Sequence, residues 1–155
     1  MNFKLAALSE VYAKQICDWK YEGEYAVYNY PEWNIILKQK WGITQEEKRN
    51  KEFIAVLDKC GDLCGYIRFV DNHDFVTVGL GLKPSLCGLG FGYVFMQLIK
   101  NECEKREYQK IILEVRSFNK RAIKCYKQAG FKDVDVYNKN TLTGECEFVK
   151  MEFCF

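Results

Sequence analysis

The chain has 155 residues, of which 48% are hydrophobic and 28% charged, with a formal net charge of +2. That profile suits one ordinary globular domain over residues 1–155 and excludes a disordered or fibrous chain. No run of about 18 apolar residues is present to cross a bilayer, and so small a net charge gives no general drive toward nucleic acid. The single histidine, His73, excludes a multi-histidine metal site; any Ser-His-Asp or Cys-His machine would depend on this one residue in the turn-like stretch Asp71-Asn72-His73-Asp74.

Residues 2–7 read as a short first strand. Four apolar residues follow Lys4 before Ser9 and Glu10, too few for the apolar core of a secretory signal. Ser9 is placed to cap a helix running to about Trp19. The stretch 19–41 carries Trp19, Tyr21, Tyr25, Tyr28, Tyr30, Trp33 and Trp41, with Glu22, Glu24 and Glu32 interleaved. Pro31 suits the first turn of a second helix. Residues 52–58, 64–70 and 75–82 read as three strands. The turns KCGDL and DNHD between them predict an antiparallel meander.

Gly88, Gly90 and Gly92 then lead into a helix with Phe91, Phe95, Leu98 and Ile99 at helical spacing. Residues 111–115 form a strand. Asn119 is placed to cap a helix with the apolar stripe Ala122, Ile123, Tyr126 and Ala129, and Gly130 to end it. Two strands remain, near 131–137 and 145–155. Val149, Met151, Phe153 and Phe155 alternate with Lys150, Glu152 and Cys154 in the last. The order β-α-α-β-β-β-α-β-α-β-β describes an α+β sheet domain.

The eight cysteines contain no C-x-x-C pair. Without a secretory signal they read as reduced thiols in the cytosol, mostly in apolar settings. No clustered ligand set suits a metal.

The glycines at 88, 90 and 92 stand at a helix N-terminus, where unpaired N–H groups and a partial positive charge suit a phosphate. Tyr93 stands where G-x-G-x-x-G would need its third glycine, and Gly-Lys occurs nowhere, so a dinucleotide or Walker-type site is disfavoured. No acidic residue lies between Asp74 and Glu102, nor between Glu114 and Asp133, while Arg116, Lys120, Arg121, Lys124, Lys127 and Lys132 fall inside the second interval. A polyanion would meet no carboxylate there. The alternative is that the glycines allow close packing and the lysines are a solvated face.

Two segments together resemble the GNAT N-acetyltransferases. Strand 75–82, Lys83-Pro84 and Cys87-Gly88-Leu89-Gly90-Phe91-Gly92 resemble that family's acyl-CoA motif, Arg/Gln-x-x-Gly-x-Gly/Ala. The run from Leu113 through Glu114, Asn119 and Tyr126 to Ala129-Gly130-Phe131 is similar to its second motif. The resemblance implies a mixed, mostly antiparallel sheet of about six to seven strands flanked by helices and splayed between the fourth and fifth strands. It implies acetyl-CoA as cosubstrate, with no metal. The acceptor would be a small-molecule or peptide amine, with no nucleic acid or membrane partner; a homodimer is left open. Cys87 departs from the pattern, since the family usually has Arg or Gln there.

Carried over residue by residue, the resemblance makes Leu80 and Leu82 the backbone partners of the pantetheine arm, with a strand N–H near Leu80 polarising the thioester carbonyl. Glycines at 79 and 81 would let the strand bend. The N–H groups of Gly88, Leu89, Gly90, Phe91 and Gly92 would take the pyrophosphate beside Cys87. Asn119, about 10 Å from Tyr126 along one helical face, would touch the same arm. Tyr126 would protonate the departing thiolate; the alternative is a core tyrosine with a satisfied hydroxyl. Glu114 is the candidate base, as a semi-buried carboxylate of raised pKa; the alternative is a structural pair with Arg116. Cys87 offers a rival acyl-accepting thiol, but no histidine or second base stands nearby in sequence. A non-catalytic acyl-CoA-binding module on the same fold is the other reading, and it would need neither Tyr126 nor Asn119. The aromatic rings and glutamates of 19–41 suit a cationic acceptor.

Overall fold

A computed structural model describes residues 2–155. Seven strands form one sheet in the order β1-β2-β3-β4-β5-β7-β6. They are β1 (Lys4–Ala7), β2 (Phe53–Leu57), β3 (Leu63–Asp71), β4 (Phe75–Leu82), β5 (Lys110–Arg116), β6 (Lys132–Thr141) and β7 (Gly144–Cys154). The helices are α1 (Glu10–Asp18), α2 (Trp33–Lys38), α3 (Glu46–Glu52), α4 (Phe91–Lys105) and α5 (Lys120–Gln128), with 3₁₀ turns at Gly23–Tyr28, Gly42–Thr44 and Pro84–Leu86. The chain divides into two compact units. One takes the residues up to Phe69 together with Leu80–Cys87; the other takes Val70–Gly79 and Gly88–Phe155.

Within the first unit, the Ser9 side chain accepts the Tyr12 N–H at 3.2 Å and starts α1. Leu8, Ala13, Ile16, Ile36, Ile43, Phe53 and Ala55 build the core, and Trp19, Tyr30, Trp33, Trp41 and Tyr66 pack against it. The rings of 19–41 that touch this core serve as its wall, whereas Glu22, Glu24 and Glu32 are exposed. Helix α3 was not foreseen, because EEKRNKE shows no apolar spacing. Tertiary contacts hold it: buried Arg49 donates to the Ile43 carbonyl at 3.0 Å, and Glu52 accepts from Arg68 at 2.7 and 2.9 Å. The strand expected from residue 52 therefore starts at Phe53.

In the second unit, α4 buries Phe95, Met96, Ile99 and Cys103, and β5 buries Ile111, Leu113 and Val115. Asn119 caps α5, its Oδ1 accepting the Ala122 N–H at 3.1 Å. Gly130, at φ +97°, ends the helix: its N–H donates to the Lys127 carbonyl and that of Phe131 to the Tyr126 carbonyl, each at 3.0 Å. Strands β5, β7 and β6 pair antiparallel, with Glu114 opposite Lys150 and Arg116 opposite Phe148. Strand β4 runs parallel to β5, but their ladder covers only Phe75–Thr77 against Lys110–Ile112. Both strands continue past it, and this early end is the splay expected between the fourth and fifth strands. His73 is an exposed turn residue at φ +73°. All eight cysteines are free thiols.

Candidate active site

In the second unit, the three glycines before and within α4 answer three different demands. Gly90 is the N-cap of α4 at φ +85° and ψ 2°, in the left-handed region. A Cβ there would meet nothing within 4 Å, so the demand is conformational and the space above the backbone is open to a ligand. Gly88 is also left-handed, and a Cβ on it would lie 3.7 Å from the Arg121 Nη1. Gly92 is a packing residue: a Cβ would stand 2.9 Å from the Cys125 Sγ, so its absence lets α4 approach α5. Leu89, between the two left-handed glycines, is exposed.

Tyr126 stands half-buried on α5, its ring 6.4 Å from that of Phe131. Asn119 spends its carbonyl oxygen on the helix cap. Between β5 and that cap, the Ser117 Oγ is shielded from solvent and has no protein partner. Glu114 points away from buried Leu113 and Val115, as the strand alternation requires. It accepts hydrogen bonds from the Tyr137 hydroxyl and, at 3.0 Å, from the Lys139 Nζ. The expected raised pKa is not found. Partial burial pushes the Glu114 carboxyl up, but hydrogen bonds from Tyr137 and Lys139 and the charges of Lys139 and Lys150 outweigh it and leave the group below its ordinary value. Burial and the bond to Glu114 push the Tyr137 hydroxyl up. Arg116, the other residue proposed to pair with Glu114, lies over the Phe148 ring at 5.3 Å.

In the first unit, the end of β4 is tightly held. A Cβ on Gly81 would stand 2.3 Å from the Tyr66 Cε1, so this glycine makes room for the ring. The Tyr21 hydroxyl donates to the Leu82 carbonyl at 2.7 Å. The Cys87 thiol donates to the carbonyls of Lys83 and Leu82 at 3.6 and 3.7 Å. Leu80 lies half-buried one residue before Gly81.

The sequence pattern of the acetyltransferase (GNAT) family matches residues 10–131. The chain belongs to the GNAT acetyltransferase family. No curated protein matches it. Among solved structures it is similar to the spermidine N-acetyltransferase of Vibrio cholerae in complex with CoA and spermine, at 18% identity and a TM-score of 0.78, covering 98% of this chain and 95% of that one. It is also similar to the ribosomal-protein-S18-alanine N-acetyltransferase of Escherichia coli, at 17% identity and a TM-score of 0.70, covering 99% of this chain and 94% of that one.

The parts of this GNAT chain suit the acyl-CoA of the family. Gly90 is left-handed with open space where its Cβ would stand, Gly88 is left-handed beside the Arg121 guanidinium, and the β5 ladder toward β4 stops early. Three residues that sequence reasoning did not select join the candidates. Arg121 brings a guanidinium to Gly88, although it was visible only as one of several basic residues. Tyr137 and Lys139 come from β6 to Glu114, 23 and 25 residues away in sequence. No short-range pattern announces either contact. Among the described residues, no three His, Cys, Asp or Glu side chains are grouped to hold a metal ion, and no helix is long and apolar enough to cross a membrane.

Proposed function

We propose that this chain is an N-acetyltransferase that moves the acetyl group of acetyl-CoA to a primary amine, on a small molecule or a peptide, by direct attack within a ternary complex. The observation that carries the reading is the family's pattern over residues 10–131, supported by the left-handed glycines of the loop and the short β4–β5 ladder. Bound acetyl-CoA supplies the activated acyl group. The N–H groups of Gly88, Leu89, Gly90, Phe91 and Gly92 hold the pyrophosphate. Arg121 supplies there the cation that Cys87 does not. Leu80 and Leu82 offer backbone groups to the arm. The Leu80 N–H stabilises the charge that develops on the thioester oxygen. Asn119 borders the arm from the α5 cap.

The Tyr126 hydroxyl donates its proton to the departing sulfur. Glu114, ionised across the neutral range, holds the acceptor's ammonium and receives its proton. The acceptor is a cation before it reacts, as are the amines named for the two similar enzymes. The test is thiol release from acetyl-CoA across a panel of polyamines, amino acids and peptides. Turnover with at least one amine is expected, with the acetylated product identified by mass. Tight binding of acetyl-CoA without turnover on any of them would favour a non-catalytic acyl-CoA-binding module.

A further inference from the structure

Strands β5, β7 and β6 bury Leu113, Val115, Val149 and Met151 on one face of the sheet. Alternation puts Glu114 and Arg116 of β5, Phe148 and Lys150 of β7, and Tyr137 and Lys139 of β6 on the other. The charges on that second face do not cancel. The Lys139 Nζ lies over the Phe148 ring at 4.5 Å and the Arg116 guanidinium over the same ring at 5.3 Å. Lys150 is half-buried and falls between Glu114 and Asp135 in the register. Its charge acts on Glu114, yet among the described residues it closes no ion pair within 4.0 Å. Glu114 is bonded instead by Tyr137 and Lys139, and the Asp135 Oδ1 accepts the Val136 N–H at 2.8 Å. Glu152, further along β7, pairs with Lys110 at 3.5 Å. Arg116, Lys139 and Lys150 thus face only Glu114 and Asp135, and positive charge is in surplus beside the carboxylate assigned to receive the acceptor's proton.

That surplus selects among amines. A polyamine would bring further cations to it, and like charges in a binding site count against a ligand. An amine that also carries a carboxylate meets both signs. Its ammonium goes to Glu114 and its carboxylate to the Lys150 ammonium, as a charge-assisted pair. Residues directly opposite on antiparallel strands stand about 4.5–5.5 Å apart at Cα, a spacing that a small zwitterion can span.

We propose that the acceptor is an amine bearing a carboxylate, and that Lys150 is the specificity-determining residue that binds this carboxylate. The inference rests on the acetyl-transfer reading above, with Glu114 as base, and adds a substrate class and a binding residue to it.

The test is kcat/KM for acetyl transfer to matched acceptors by wild type, Lys150→Met and Lys150→Gln, each checked for folding by its melting curve. One pair is a free amino acid and its amide. The other is two amidated peptides that differ only in Asp or Asn at the second position. Spermidine is the polyamine arm. Wild type should turn over a carboxylate-bearing acceptor better than spermidine. The acid-to-amide ratio should fall about tenfold in both variants, in the amino-acid pair if the carboxylate is that of a free amino acid and in the peptide pair if it is a side chain. Comparing ratios cancels the intrinsic basicity of each amine and any change in Glu114 that both members feel. An unchanged ratio in both pairs, or spermidine as the best acceptor of wild type, would overturn the assignment while leaving the acetyltransferase reading intact. The wild-type ranking stands even if a variant fails to fold. Absence of turnover with every amine would overturn the acetyl-transfer reading itself.

Discussion

Replacing Gly90 with valine tests the loop through its backbone. Gly90 sits at φ +85°, where an L-residue costs about 1–2 kcal/mol and a β-branched one approaches the upper end of about 1–3 kcal/mol. A Cβ there meets no neighbour within 4 Å, so the main cost is conformational. A chain of this length loses about 2–4 °C of melting temperature per kcal/mol, so about 2 kcal/mol of strain lowers the ligand-free Tm by about 4–8 °C. If the loop instead relaxes to negative φ, the fall is smaller, but the N–H groups around residue 90 turn away. In either case the ligand response should collapse. Wild type at a ligand concentration about 100-fold above Kd gains about 2.7 kcal/mol, or about 5–11 °C; Gly90→Val should gain almost none. The control is Gly144→Val, a left-handed glycine at φ +104° in the β6–β7 turn, also with open space around its Cβ. It should show comparable strain and keep the full acetyl-CoA shift. The assay is a thermal melt with and without acetyl-CoA. A full shift in Gly90→Val, or equal loss in Gly144→Val, would refute the assignment of the loop.

Tyr126→Phe keeps the ring beside Phe131 and removes only the hydroxyl, so kcat should fall about 10²–10⁴-fold with little change in CoA affinity; single-turnover kinetics would read both. Lys139→Met removes a cation that lowers the Glu114 pKa. The neutral acid is then favoured, and the acidic limb of the kcat/KM profile should move to higher pH; an unmoved limb would remove Glu114 from the proton path. Gly81→Ala places a methyl 2.3 Å from the Tyr66 Cε1. The Tyr66 ring has Trp19, Tyr30 and Phe53 rings at 6.4 Å and little room to retreat. Overpacking of about 2 kcal/mol should follow, a loss of about 4–8 °C in Tm, and an unchanged melting curve would show that the contact is loose.

The sequence by itself determined the elements whose signals are local. Ser9 and Asn119 each carry an oxygen within reach of the N–H three residues ahead, and Gly130 alone fits the left-handed end of its helix. Those caps were legible because capping acts over a few residues. The alternation through Leu113, Glu114 and Val115 likewise fixed which way the carboxylate faces. Helix α3 was not legible, because Arg49 and Glu52 find their partners in the Ile43 carbonyl and in Arg68 of β3, not in a repeating apolar stripe. The roles of the glycines also waited on the fold. Gly90 needs its left-handed φ, Gly92 makes room for Cys125, and Gly81 makes room for Tyr66, yet each reads as the same letter. The state of Glu114 turned on β6, which only sheet pairing brings alongside. Spacing along a chain reports local geometry, whereas the dielectric, charge and space around a side chain are set by residues the chain brings back from far away. For that reason the caps and the left-handed end of α5 could be named from sequence, while the ionised state of Glu114 emerged only in three dimensions.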